Sequence, residues 1–370
     1  MSFVDSDEYI IVLDNPIGGL SIDDLKRLRE IGIKTCWASG PWYLLEPRRG
    51  EYQWRLGDFI VERMAAAGMK LLFMAPSVGP TFAPDDWYLR THDGHIWRAY
   101  YDGYRDGWPY SELSPWCAEA MAYERQFQHI LLERYSGEAV QLIPGTVHGG
   151  EAILPGMVES WFDRHALESF RAYAESAFAG DLVYFNKANH TLYERWEDVQ
   201  PALFPNRAAM ERHPTTTDWL HDTLLPVMLD RYAAYAEQPA PETWVCLPQR
   251  DTEFAERFET GPRTGNWMAG EIYRTFPGKL NAMLQVMLFE TYRTDGTQGI
   301  FEYVRGYEDV TWVGSQFVQG LLRHTSSAIA QGLRGFLTGP LHPDSGCNKL
   351  TPEMVNAMSW SIEQWKAARA

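Results

Sequence analysis

Four cysteines, Cys36, Cys117, Cys246 and Cys347, are scattered through 370 residues without a Cys-x-x-Cys pair. That spacing argues against a disulfide scaffold or a thiolate zinc site and points to a reducing compartment. No run of eighteen apolar residues is present, which excludes a membrane-spanning helix. The opening Met1-Ser2-Phe3-Val4-Asp5-Ser6-Asp7-Glu8 lacks the basic and apolar parts of a signal peptide. A cytoplasmic protein is therefore expected, although a secreted chain trimmed of its leader would start in the same way. Basic residues are few, 33 against 49 acids, and the net charge of −16 repels phosphate backbones and anionic membranes. Nucleic acid and membrane are not expected partners. Metal-ligand spacing, a glycine-rich phosphate loop and a nucleophile elbow are all missing, so neither metal nor cofactor is expected. No low-complexity linker divides the chain, and residues 1–370 read as one domain.

Aromatic residues are abundant, 14% of the chain with 15 Trp. Hydrophobic residues at 45% supply a full core. Runs of β type alternate with runs of helical period throughout. Strands are expected at 9–14, 33–38, 70–75, 140–146, 243–247, 266–273, around Glu302 and at 334–338. Helices are expected at 21–30, 56–67, 118–135, 163–178, 218–237, 280–292 and 314–331. The first shows how such a segment is recognised: Ser21 caps it, Asp23 and Asp24 fill its first turn, and Gly32 ends it. Strands alternating with helices predict a parallel sheet, and eight repeats predict closure into a single (β/α)8 barrel. Proline and glycine cluster at 76–116 and 201–217, read as long loops on the C-terminal face of that barrel. The whole stretch 179–217 is read in the same way.

Two acids stand out within this pattern. Glu302 lies in Gly299-Ile300-Phe301-Glu302-Tyr303-Val304, an apolar setting in which a lone carboxylate is costly. Glu151 follows Thr146-Val147-His148-Gly149-Gly150, where two glycines let the backbone approach a ligand closely. Carboxylates at the ends of two different barrel strands are how glycosidases oppose an acid/base to a nucleophile. Read blandly, Glu151 is a solvated loop acid and Glu302 a buried acid paired with Arg305. Glu271, in Ala269-Gly270-Glu271-Ile272, is the rival for either role. Glu46 reads as a loop anchor held by a salt bridge, without a catalytic role. Of Trp37, Trp42, Trp87, Trp108 and Trp267, two or three are expected to offer a face to sugar and the rest to pack. Trp37, Trp42 and Trp267 are taken as substrate-binding candidates, with His148 beside Glu151 and Tyr303 beside Glu302.

A resemblance enters at Gly32-Ile33-Lys34-Thr35-Cys36-Trp37 and Trp42-Tyr43-Leu44-Leu45-Glu46-Pro47-Arg48-Arg49-Gly50-Glu51-Tyr52-Gln53-Trp54. These residues resemble the second-strand region of clan-A glycoside hydrolases, the family-42 β-galactosidases above all. Ala66-Ala67-Gly68, Met74-Ala75-Pro76 and Tyr193-Glu194-Arg195-Trp196 follow that family's order, the likeness being dense in 25–80 and 165–200. The resemblance implies an acid/base at the end of strand four, where Glu151 stands, and a nucleophile at the end of strand seven, where Glu302 stands. One departure matters: the family has Asn directly before its acid/base, and here that residue is Gly150. Gly149-Gly150-Glu151 is closer to the β-amylases, which invert. Typical β-galactosidases carry further domains after the barrel, for which this chain ends too soon.

The expectation is thus a retaining O-glycoside hydrolase of oligo- or polysaccharides, with Glu151 as acid/base and Glu302 as nucleophile. The alternatives are an inverting, β-amylase-like hydrolase and a non-catalytic carbohydrate-binding barrel. A carbohydrate is the expected partner, and a homo-oligomer is compatible with these features.

Overall fold

A computed structural model of the chain describes residues 10–14, 20–77, 79–96, 113–143, 161–202, 213–236, 243–247, 280–286, 299–303, 335–338 and 350–369, with isolated positions between 322 and 329. Its strands are β1 (Ile10–Asp14), β2 (Thr35–Pro41), β3 (Lys70–Ser77), β4 (Val140–Ile143), β5 (Thr243–Leu247), β6 (Leu280–Val286), β7 (Gly299–Tyr303) and β8 (Gly335–Thr338). They form one sheet in the order β4-β3-β2-β1-β8-β7-β6-β5. Every pairing in it is parallel. The first strand pairs with the last, and Cα atoms of the two end strands, β4 and β5, approach within 8 Å.

Helices fill the connections among the described residues: α1 (Ile22–Glu30), α2 (Trp42–Leu45), α3 (Arg55–Ala67), α4 (Ala118–Tyr135), α5 (Arg164–Ala177), α6 (Leu182–Asn189), α7 (Pro214–Ala236) and α8 (Pro352–Arg369). Local chemistry fixes their ends. Ser21 accepts from the Asp24 N–H at 3.1 Å while the Asp24 carboxylate accepts from the Ser21 N–H at 3.0 Å, a reciprocal cap on α1. Gly68 closes α3 at φ 67°, a left-handed conformation that favours glycine. Asp163 caps α5 through the N–H groups of His165 and Ala166. α7 starts at Pro214, four residues earlier than the pattern from Asp218 indicates, because proline is well suited to a first helical turn.

The core lies between sheet and helices. Phe73 of β3 sets its ring edge-on to Tyr135 of α4, with centroids 5.5 Å apart. Arg134 binds the Asp58 carboxylate at 2.7 and 2.8 Å, and Tyr135 adds a bond to it at 2.9 Å, tying α4 to α3. Gly57 makes room for this clasp, since a Cβ there would fall 2.3 Å from the Tyr135 hydroxyl oxygen.

One element departs from expectation. Residues 280–292 read as a helix, yet Leu280–Val286 is strand β6, paired with β5 and β7. Leu280, Met283, Leu284, Met287 and Leu288 fall at helical spacing. A strand buried in a parallel sheet also reads as an apolar run, and periodicity alone does not separate the two. Residues 266–273, where the sixth strand was expected, lie outside the described residues, as does most of 314–331. The stretch 179–217 also contains a helix, α6, where only loop was expected.

Candidate active site

The strand register places Glu302 without recourse to its side chain. Phe73 faces α4, so its neighbour Leu72 belongs to the opposite face of the sheet. Leu72 partners Trp37, and Trp37 partners Asp14. Val12, two residues before Asp14, shares that face, partners Leu337, and Leu337 partners Glu302. Glu302 is therefore on the face away from α4, one residue from the C-terminal end of β7. That is the end from which barrel enzymes draw their catalytic groups. Gln285 of β6 is its partner on the other side. Tyr303 ends β7 and, by strand alternation, belongs to the other face. Glu151, His148 and Trp267 lie outside the described residues, as do Trp108 and the rival Glu271. With β6 at Leu280–Val286, Glu271 precedes the sixth strand instead of lying within it as expected.

Beyond β2 the chain builds a wall of rings around one acid. Glu46 is fully buried. Its Oε2 accepts the Trp42 indole N–H at 2.7 Å, and its Oε1 accepts the Gly50 N–H at 2.7 Å and the Tyr123 hydroxyl. The expected loop anchor is there, but hydrogen bonds take the place of the salt bridge. Neighbouring cations are engaged elsewhere, Arg48 with Glu51 at 3.6 Å and Arg49 over the rings of Trp87 and Tyr123 at 5.2 and 4.8 Å. Burial, then the bond to the Glu46 carboxylate, pushes the Tyr123 phenol well above its ordinary range.

Trp42 is 2% exposed and stacks on Phe127 with centroids 4.8 Å apart. Its N–H is committed to Glu46, so it packs in the core and does not offer a free face to a ligand, contrary to expectation. Trp87 is buried as well. Of Trp37 only the backbone position in β2 is described.

Sequence reading missed Gln285, because a helix was expected there. It also passed over Gln141 of β4, the register partner of Leu72 and thus on the same face as Glu302. Gln141 is fully buried, and neither of its amide atoms has a hydrogen-bond partner among the described residues.

An all-parallel eight-stranded sheet with an acid close to the C-terminal end of its seventh strand is the layout of barrel glycoside hydrolases. The chain belongs to glycoside hydrolase family 42, whose model, described as β-galactosidase, matches residues 20–223. A β-galactosidase of a Thermus species, BgaA, is 24% identical over 205 residues, 52% of this chain and 29% of that protein. Among solved structures, the β-amylase catalytic domain of Paenibacillus polymyxa superposes with a TM-score of 0.68 at 12% identity, covering 98% of this chain and 99% of that one. The β-galactosidase of the psychrophilic Marinomonas ef1 gives a TM-score of 0.59 at 14% identity, covering 97% and 59%. At such identities the structural likeness speaks for the fold. The chain spans under two thirds of the length of these β-galactosidases.

Proposed function

We propose that the chain is a glycoside hydrolase acting on β-galactosides, with the eight strands closed into a barrel by the approach of β4 to β5. Membership of family 42 supports the reaction class. The observation that carries the site is the register row that sets Glu302 near the C-terminal end of β7, on the face away from α4. Glu151, beyond the end of β4, supplies the second carboxyl group. In the retaining course, the Glu151 carboxylic acid gives its proton to the glycosidic oxygen as the Glu302 carboxylate attacks the anomeric carbon. The C–O bond to the leaving group breaks and a glycosyl ester forms. Glu151, now ionised, takes a proton from water, whose oxygen attacks the same carbon and releases Glu302. This course requires the two carboxyl groups to stand about 5–5.5 Å apart.

The test is hydrolysis of p-nitrophenyl β-D-galactopyranoside by wild type and by Glu302→Gln, Glu151→Ala, Glu271→Gln and Glu290→Gln. Glu290 joins the set because it is the first acid after β6. Loss in Glu302→Gln, with azide rescue of Glu151→Ala, supports both assignments. An active Glu302→Gln with a dead Glu290→Gln or Glu271→Gln would move the nucleophile. A wild type inert on a panel of aryl glycosides and polysaccharides would leave the non-catalytic reading.

A second reading, inversion, has one specific observation behind it: Gly150 stands where the family resemblance calls for Asn. An inverting site holds its carboxyl groups about 6.5–9.5 Å apart, with water between. NMR of the first-formed anomer separates the two, β for retention and α for inversion.

A further inference from the structure

We propose that Gln285 is the positioning residue for Glu302, the neutral amide that holds that carboxylate in its attacking orientation; this rests on Glu302 being the nucleophile. Three parallel strands carry the argument. Gln285 of β6, Glu302 of β7 and Leu337 of β8 form one row of register partners, and Val286, Tyr303 and Thr338 form the next. Partners in a parallel pair share a face, on strands about 4.8 Å apart. Glu302 thus has a glutamine on one side and a leucine on the other. Only the glutamine can donate a hydrogen bond.

The rest of these strands sharpens the assignment. β6 reads Leu-Asn-Ala-Met-Leu-Gln-Val, β7 Gly-Ile-Phe-Glu-Tyr and β8 Gly-Phe-Leu-Thr. Within them Glu302 is the sole carboxylate, Tyr303 is the only other titratable group, and there is no Lys, Arg or His. Asn281 is the one other amide, four residues back along β6. Outside these strands the charged groups that register places on the face of Glu302 are Asp14, at the end of β1, and Lys70, at the start of β3 and four strands away along the row, and Glu151 is set against Glu302 as the proposed acid/base. A nucleophile flanked by a fixed cation would be well ionised but blunted. An amide donates to the charged form, favours ionisation and fixes the rotamer, while leaving the negative charge available for the anomeric carbon. Glutamine also stays uncharged as Glu302 passes from anion to ester and back.

The experiment uses the full chain and p-nitrophenyl β-D-galactopyranoside. Gln285→Leu should lower kcat about tenfold to a hundredfold with little change in KM. It should also raise the acidic limb of the kcat/KM profile by about one pH unit, because Glu302 loses a donor to its ionised form. Gln285→Asn should recover part of both. A readout that needs no substrate runs alongside. The Tm deficit of Gln285→Leu should grow as pH rises through the ionisation of Glu302, and should be independent of pH in a Glu302→Gln background. A merely structural Gln285 would give a deficit independent of pH in both backgrounds and an unmoved acidic limb, and either result overturns the proposal. An active Glu302→Gln overturns the nucleophile reading and this inference with it. A dead Glu302→Gln beside an unshifted Gln285→Leu overturns the inference alone.

Discussion

The loop after β2 and the ends of β6, β7 and β8 each centre on a glutamate, and under the function proposed above they use it in opposite ways. Glu46 is surrounded by donors from its own neighbourhood: an indole four residues back, an amide four residues on and a phenol from α4. Its oxygens are committed, and the rings around it are stacked and buried. Glu302 stands in a row with one amide and one leucine, on strands that carry no cation. A carboxylate saturated by local donors is a fixed part of the frame. One held by a single neutral amide, as proposed for Glu302, would keep its charge for something that arrives from outside. Burial of an acid is thus a poor guide to reactivity, and the list of its partners is a better one.

The comparison breaks or holds most visibly on substitution by glutamine. Glu302→Gln should lower kcat by about a thousandfold or more while leaving Tm near wild type, because only the nucleophile's charge is lost. Glu46→Gln should do the reverse. Its new NH2 group would meet one of three N–H or O–H donors head-on in a buried site, at a cost of about 2–3 kcal/mol. Thermal unfolding should show that loss, with kcat near wild type below the lowered Tm. A Glu46→Gln enzyme that is stable but dead would erase the distinction between the two acids.

The division between frame and site was only partly legible in the amino-acid sequence. Strands one to five, seven and eight announce themselves as short β-type runs, and α1, α3 and α5 carry caps or a terminal glycine that mark their limits. β6 has no such punctuation. Its Leu280, Met283 and Leu284 suit a helix stripe or a buried strand equally, and only pairing with β5 and β7 decides between them. Gln285 was hidden for that reason, since a glutamine on a helix carries no message. Glu46 was legible as a loop anchor from Glu46-Pro47-Arg48-Arg49, although the arginines suggested a salt bridge where hydrogen bonds hold it. Its partner Tyr123, 77 residues away, could not be read from the chain. The tryptophans illustrate the same limit: a ring that stacks on Phe127 and one that greets a sugar look identical in sequence.

Gln141 tests whether an amide on the same face as Glu302 belongs to the frame. It is fully buried and bonded to no group among the described residues, an arrangement that costs stability. Replacing it by methionine, of similar length and without the amide, should raise stability by about 1 kcal/mol and leave kcat unchanged. A fall in stability would show that the amide is satisfied within the sheet and should be counted with Gln285.

The smallest effect concerns a third carboxylate, Asp163, which belongs to the frame like Glu46 but has a poorer set of partners. Its Oδ1 accepts the N–H groups of His165 and Ala166 at 3.0 and 3.1 Å, while its Oδ2 has no hydrogen-bond partner within ordinary bonding distance among the described residues. Burial raises its pKa above the ordinary aspartate value, and the Ala166 N–H, the Ser114 hydroxyl and His165 only partly offset this. A raised pKa means that the folded chain binds the proton more tightly than the unfolded chain. The group's contribution to stability is therefore greatest at acid pH, and it falls as pH rises from the ordinary aspartate value through the raised one. At neutral pH the ionised side chain caps α5 while carrying a desolvation cost. Asp163→Asn keeps an oxygen for the cap and removes the charge, so it should be more stable than wild type at pH 7, by less than about 1 kcal/mol. The gain should shrink toward zero as pH falls into the range where wild-type Asp163 is protonated. Asp163→Ala should be less stable at every pH, because it loses the cap itself. Thermal melts of the three proteins between acid and neutral pH decide the matter. An Asn variant less stable than wild type at pH 7 would mean that attraction between the carboxylate and the start of α5 outweighs burial, and would place Asp163 beside Glu46 among the well-partnered acids.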